Sequence, residues 1–170
     1  MRLTDWTDYT LRVLMYCGVQ GSDRLVTTAE LAQKYAISHH HLTKIVNELA
    51  RQGLLETVRG RSGGVRLAQP PGQIRLGAVV RAAEPDFRLV ECFDKTTNTC
   101  PLTGVCRLKR VLRGALDAYL AELDHVTLAD LLPPGRSMSR AMSLPSATRS
   151  VSSSGESSTA VRPSGALSAG

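Results

Sequence analysis

Residues 27–53, TTAELAQKYAISHHHLTKIVNELARQG, constrain the fold more than any other part of the chain. Thr27 stands three residues ahead of Glu30. In this capping-box spacing the threonine hydroxyl accepts from the backbone N–H three residues on and the glutamate reaches back. A helix from about Thr28 to Tyr35 is therefore predicted. After the short break Ala36-Ile37-Ser38, Ser38 is a good N-cap for a further helix, which Gly53 stops. Two short helices joined by a tight turn form a helix-turn-helix, whose second helix lies in the major groove of DNA. In that helix Leu42, Ile45, Val46 and Leu49 share one face. The opposite face carries His40, Thr43, Lys44, Asn47 and Arg51, a set rich in donors with no large apolar group.

The flanking segments agree. Leu11, Leu14, Met15 and Gly18 recur at helical spacing and predict an earlier amphipathic helix. Beyond Gly53, LLETVRGRSGGVRLAQPP reads as strand, glycine-rich turn and strand, a small β-hairpin wing on a mainly α chain. Its tip holds Arg59, Arg61, Ser62 and Gly63, a composition suited to a narrow minor groove. The expected DNA-facing set is Ser38, His39, His40, Thr43, Lys44 and Asn47 from the helix, with Arg59, Arg61, Ser62 and Gly63 from the wing. Consecutive histidines on a helix point about 100° apart, so His39, His40 and His41 do not converge on one metal ion.

Charge supports a polyanionic partner: residues 1–90 carry 12 Lys and Arg against 8 Asp and Glu, within a net charge of +6 for the 170-residue chain. No run approaches the twenty apolar residues of a membrane span, and Asp5, Asp8 and Arg12 occupy the place of a signal peptide's apolar core. A cytoplasmic protein without membrane association is expected. There is no Ser/His/Asp set, no phosphate-cradling glycine loop before a helix and no carboxylate pair in an apolar setting, so an enzyme is not expected.

Three of the four cysteines, Cys92, Cys100 and Cys106, fall within CFDKTTNTCPLTGVC. In a reducing compartment such a trio reads as metal or redox chemistry rather than as a disulfide framework. An iron-sulfur cluster, a zinc site completed by some other residue and a group of redox thiols all fit the spacing. Cys17 belongs to the first helix and reads as a packing residue. From Leu108 onward Leu112, Ala115, Leu116, Tyr119 and Leu123 extend an apolar stripe expected both to pack on its own domain and to pair with a second copy. Residues 136–170 contain 12 serines and no aromatic residue, the composition of a disordered tail. The expected organisation is a winged helix-turn-helix over 1–90, a cysteine loop over 91–107, a dimerisation helix region over 108–132 and a serine-rich tail over 133–170.

MRLTDWTDYTLRVLMY, GRSGGVRL, the three cysteines and CRLKRVLRGALDAYLAELDHVTLADL together resemble the NsrR group of winged-helix iron-sulfur regulators, relatives of IscR, over residues 1 to about 132. The resemblance implies a homodimeric transcription repressor. It would bind a 4Fe-4S or 2Fe-2S cluster and release promoter DNA when nitric oxide destroys that cluster. It also implies Cys92, Cys100 and Cys106 as cluster ligands, with Asp8 supplying a fourth from the partner subunit. The other reading of Asp8 is that it favours the positive end of the first helix. Seven residues separate Cys92 from Cys100, a longer interval than in many of that group, and Asp94 in this interval is an alternative fourth ligand. The competing implication is an iron-sulfur-status or redox-responsive regulator of the IscR type. Its usual ligand histidine lies beside the cysteine loop, and residues 91–107 here contain no histidine.

Overall fold

The computed structural model describes residues 2–132; the segment expected to be a disordered tail lies outside them. Helix α1 (Asp5–Gln20) is followed by α2 (Thr28–Tyr35) and α3 (His39–Arg51), then by strands β1 (Leu55–Val58) and β2 (Gly64–Leu67). After a 3-10 turn at Pro71–Gln73 come α4 (Leu76–Ala83), a 3-10 turn at Glu91–Phe93, the long α5 (Arg107–His125) and the short α6 (Leu128–Leu131). The architecture is a winged helix-turn-helix with a long C-terminal helix, mainly α with one antiparallel hairpin.

Local chemistry sets the helix-turn-helix. The Thr27 hydroxyl accepts from the Glu30 N–H and the Ser38 hydroxyl from the His41 N–H, both at 3.1 Å. Ala36, between the two helices, is left-handed at φ 54°, a conformation costing an L-residue about 1 kcal/mol. Burial of the next residue, Ile37, holds the turn, and the Ile37 N–H donates to the Ala32 carbonyl at 3.2 Å. Leu42, Ile45, Val46 and Leu49 are all buried, as their spacing predicts. They cluster with Leu14, Leu31, Leu55, Val65 and Leu128, so the core draws on α1, α2, α3, the wing and α6.

The wing pairs Leu55 with Leu67 and Val58 with Gly64. Reciprocal backbone hydrogen bonds between Val26 and Val65, at 2.8 and 2.9 Å, tie it to the strand-like residue ahead of α2. Gly60 at φ 116° turns the tip, and a Cβ on Gly63 would run into the Val58 carbonyl.

Two helices differ from the sequence expectation. The buried residues of α1 are Thr7, Thr10, Val13, Leu14, Tyr16 and Cys17, whereas Leu11 and Met15 are only partly covered. Two threonines occupy the inner face, so a reading by hydrophobicity rotated the helix. The α5 stripe divides into two. Leu116 is 2% exposed and, with partly buried Leu112, Tyr119 and Leu123, lies on the side that packs against α4. Leu108, at 61%, and Val111, at 66%, are exposed together with Ala115 and Ala118.

Candidate functional site

The exposed face of α3 presents Ser38, His39, His40, Lys44 and Asn47, all open to solvent. Thr43 is half-buried, and its hydroxyl donates to the His39 carbonyl at 2.8 Å, so it is already engaged within the helix. Arg51 closes onto Glu48, with nitrogen–oxygen distances of 2.6 and 2.9 Å, which cancels its charge at that end of the helix. On the wing, Arg66 is paired with Glu56 across the strands at 3.0 Å. Arg59, Arg61 and Ser62 are exposed at the tip, Gly63 is partly covered, and among the described residues neither arginine forms an ion pair. The hairpin thus neutralises its stem and leaves two cations at its tip, a distribution suited to a phosphate-lined groove.

His41 has a role the sequence reading missed. Its ring lies 5.7 Å from Trp6 and 5.4 Å from Tyr9, so two aromatic residues of the first turns of α1 rest on the third residue of α3. The aromatic pair spaced by three residues on α1 was a visible signal, but its partner was not.

Tyr16, Arg24 and Glu30 support the helix-turn-helix from behind. The Tyr16 hydroxyl donates to Glu30 at 2.5 Å and Arg24 donates to it at 2.8 Å. Burial by itself pushes the Glu30 carboxyl up, but the Tyr16 hydroxyl and the Arg24 guanidinium together hold it below its ordinary value. Cys17, beside them, is buried with its thiol pushed up to about 12, chiefly by desolvation and then by Glu30. Its packing role is thereby accounted for.

The cysteine trio occupies the irregular segment between α4 and α5. Cys92 is buried in the 3-10 turn, whereas Cys100 and Cys106 are half-buried, and all three are free thiols. The Cys106 sulfur accepts from the Lys109 N–H at 3.4 Å as the N-cap of α5. Phe93, next to Cys92, lies under the Arg113 guanidinium at 4.2 Å, which pins that turn to the same helix. Cys100 is set by its neighbours: the Asn98 side chain accepts from its N–H, and the Thr103 hydroxyl donates to its carbonyl.

Glu91 is occupied by the N–H and hydroxyl of Thr99, and Asp94 by Thr96 and Arg88. Asp94 is therefore committed to shaping the loop. Among the described residues no three His, Cys, Asp or Glu side chains are placed to hold a single metal ion. Each thiolate of an iron-sulfur cubane binds a different iron, so a cluster does not require its sulfurs to meet at one point. The donor set fits such a group: the loop carries three free thiols, and one of them, Cys106, lines an open groove of about 540 Å³ with Lys109, Arg110 and Arg113. Backbone donors at the start of α5 add to this positive field.

In this chain Asp8 lies on α1 and is paired within that helix. Its carboxylate is gripped by Arg12, one turn on, at 2.6 and 3.0 Å, and the Arg12 guanidinium lies 5.8 Å from the Tyr9 ring and 5.9 Å from that of Tyr35. The spacing of four residues made this pair visible in the sequence. No helix among the described residues is long and apolar enough to cross a membrane.

Comparison with known proteins identifies the family. The model of the Rrf2 family, described as an iron-dependent transcriptional regulator, matches residues 3–134. The chain is 52% identical over 132 residues to the HTH-type transcriptional regulator NsrR of Halalkalibacterium halodurans, covering 78% of this chain and 90% of the relative. It is 48% identical, with the same coverage, to the protein of that name from Bacillus subtilis. Among solved structures, T. potens IscR superposes with a TM-score of 0.61 at 21% identity over 77% of this chain and 85% of its own. Staphylococcus aureus CymR does so with a TM-score of 0.61 at 23% identity over 77% and 98%. At that identity the structures speak for the winged-helix fold alone.

Proposed function

Because this chain belongs to the Rrf2 family of transcriptional regulators, we propose that it is a cytoplasmic homodimeric repressor that grips promoter DNA with α3 and the wing and senses nitric oxide through an iron-sulfur cluster, of 4Fe-4S type, on its cysteine loop. One observation carries the reading: the Cys106 thiol caps the start of α5 and Phe93, next to Cys92, packs under Arg113 of the same helix, which also exposes an apolar seam. Leu108, Val111, Ala115 and Ala118 follow the i, i+3, i+7, i+10 spacing of a coiled-coil seam. A second copy packed there would bury Leu108 and Val111 twice over, each worth about 1.5–3 kcal/mol when fully covered.

Cys92, Cys100 and Cys106 would hold the cluster as thiolates, and Asp8 would approach from the second copy. When bound, the cluster supplies iron that reacts with nitric oxide. Asp8 must then leave Arg12. That pair is solvent-exposed on both sides, so opening it costs on the order of 0–1 kcal/mol, little against a metal–ligand bond. The chain's own part in the switch is positional. Cys106 joins the loop to α5, Asp8 belongs to the helix that carries Trp6 and Tyr9, and these rest on α3. Thiol and carboxylate attachments on both copies would set the distance between two recognition helices, which must match successive major grooves. Moving occupancy from 99:1 to 1:99 requires a bias of about 5.5 kcal/mol between the two states.

On DNA, His40, Lys44 and Asn47 face base edges or phosphates, with Ser38 and His39 at the helix start. Arg59 and Arg61, with Ser62 and Gly63, enter the minor groove. The absence of histidine from residues 91–107 favours this reading over an IscR-type regulator of iron-sulfur status.

The test is anaerobic purification with iron and sulfide analysis, followed by nitric oxide titration against a palindromic promoter duplex, repeated with Cys100→Ala and Asp8→Ala. Cluster-loaded protein should bind tightly and lose affinity stoichiometrically with nitric oxide. Iron-free protein that binds with undiminished affinity would refute the reading, and Asp8→Ala with an intact cluster and an unchanged response would remove Asp8 from the ligand set.

A further inference from the structure

A series of side-chain contacts, joined by short stretches of backbone, runs through one chain from the cysteine loop to the recognition helix. Asp94, two residues past Cys92, accepts from Arg88 at 2.8 Å, and the Arg88 guanidinium also holds Asp86 at 3.1 Å. Two residues before Asp86, Glu84 closes α4 and turns its carboxylate onto the start of α1. One Glu84 oxygen accepts from the Thr4 N–H at 2.8 Å and from the Thr4 hydroxyl at 3.1 Å. Thr4 is the N-cap of α1, its hydroxyl accepting from the Thr7 N–H at 3.3 Å, and the turn it starts bears Trp6 and Tyr9 against His41.

A cavity of about 270 Å³ separates Leu3 from Phe87, Leu89 and Tyr119, so the N-terminal segment and the segment leading to Cys92 are not closely packed there. Among the described residues the Glu84–Thr4 hydrogen bonds tie the two segments at the edge of this cavity.

We propose that Glu84 is a positioning residue, latching the start of α1 to the segment that enters the cysteine loop, so that a change of the loop reaches the recognition helix of the same chain. The latch adds a route within each chain to the one across the dimer and rests on the proposed cluster reading. Glu84 acts through the start of α1, where it holds Thr4. It sets the seat of α1, and α1 sets the N-terminus of α3 through His41. A bifurcated acceptor suits this role, because both Thr4 donors must shift together or break together.

The experiment measures duplex affinity for the cluster-loaded and metal-free protein, with hydrogen exchange of residues 5–11 in both states. For the wild type, loading should change affinity by about tenfold or more, a coupling of about 1.4 kcal/mol. It should also change exchange protection in the first turns of α1. Glu84→Ala should keep the same iron and sulfide content, lose the exchange difference and bring the affinity ratio within about threefold of unity. Glu84→Gln retains an acceptor oxygen and should restore both. Arg88→Gln, on the exposed side of the path, should reduce the ratio without endangering the fold. The latch is overturned if Glu84→Ala retains the wild-type ratio, or lowers affinity equally in both states, as a merely structural residue would. A wild-type ratio of unity would instead sink the cluster reading, and the latch with it.

Discussion

Ser38 has two separable duties, and a pair of substitutions distinguishes them. Its hydroxyl accepts from the His41 N–H at 3.1 Å and caps the recognition helix, while its exposed position leaves it open to solvent, and the proposed docking sets it beside a phosphate. Ser38→Ala removes the cap, at a cost of about 0.5–2 kcal/mol. For a domain of this size a loss of 1 kcal/mol lowers Tm by about 3–5 °C. Ser38→Asp keeps a good cap and adds a charge. A carboxylate about 6 Å from a phosphate is repelled by about 0.7 kcal/mol at the dielectric of water and about 2.8 kcal/mol at an effective value of 20. Binding should weaken by about 3- to 100-fold, less at high salt. Thermal unfolding and fluorescence anisotropy on a labelled promoter duplex at two salt concentrations measure the two effects. The aspartate variant should match the wild type in Tm and fall below it in affinity; the alanine variant should show the Tm loss. An aspartate variant that binds as tightly as the wild type would refute the placement of Ser38 at the DNA backbone. An alanine variant with unchanged Tm would refute the cap.

Val111→Glu places a carboxylate in the exposed seam of α5 and should convert dimer to monomer in sedimentation while leaving Tm of the monomer's own fold nearly unchanged, since Val111 is 66% exposed. Glu30, held below its ordinary value of 4.5, contributes stability that is present above that value and lost as pH falls through its lower folded-state value. Glu30→Gln should therefore flatten the acid limb of a stability–pH curve, and an unchanged limb would show that the Tyr16–Glu30–Arg24 contacts do not contribute. Cys17, 1% exposed with its thiol pushed up to about 12, should resist thiol reagents in the native metal-free protein and react only on denaturation. Four rapidly reacting thiols in a native titration would contradict its burial.

The helix-turn-helix was legible because its determinants are local. Thr27 and Ser38 cap helices whose apolar residues recur at 3.6-residue spacing, and glycines shape the wing tip, where Gly60 turns and Gly63 has no space for a side chain. Such signals act over a few residues and need no partner. The face of α1 was less legible: Thr7 and Thr10 are buried polar residues, and hydrophobicity alone assigns them to the outside. On α5 an apolar stripe was visible, but its division into a seam against α4 and an exposed seam depends on how α5 docks.

Within the candidate site the same contrast holds. The cysteine trio and the Asp8–Arg12 spacing could be read from the sequence, and so could the basic wing tip. The packing of His41 under Trp6 and Tyr9, and the hydrogen bonds from Thr4 to Glu84 eighty residues away, could not. By itself the chain's order of residues determined its helices, its turns and its stock of thiols, because backbone hydrogen bonding and side-chain periodicity are short-range. Which faces of those helices meet, which cations remain free and which carboxylates are already spent was decided only by tertiary packing, because each depends on a partner that no neighbouring residue specifies.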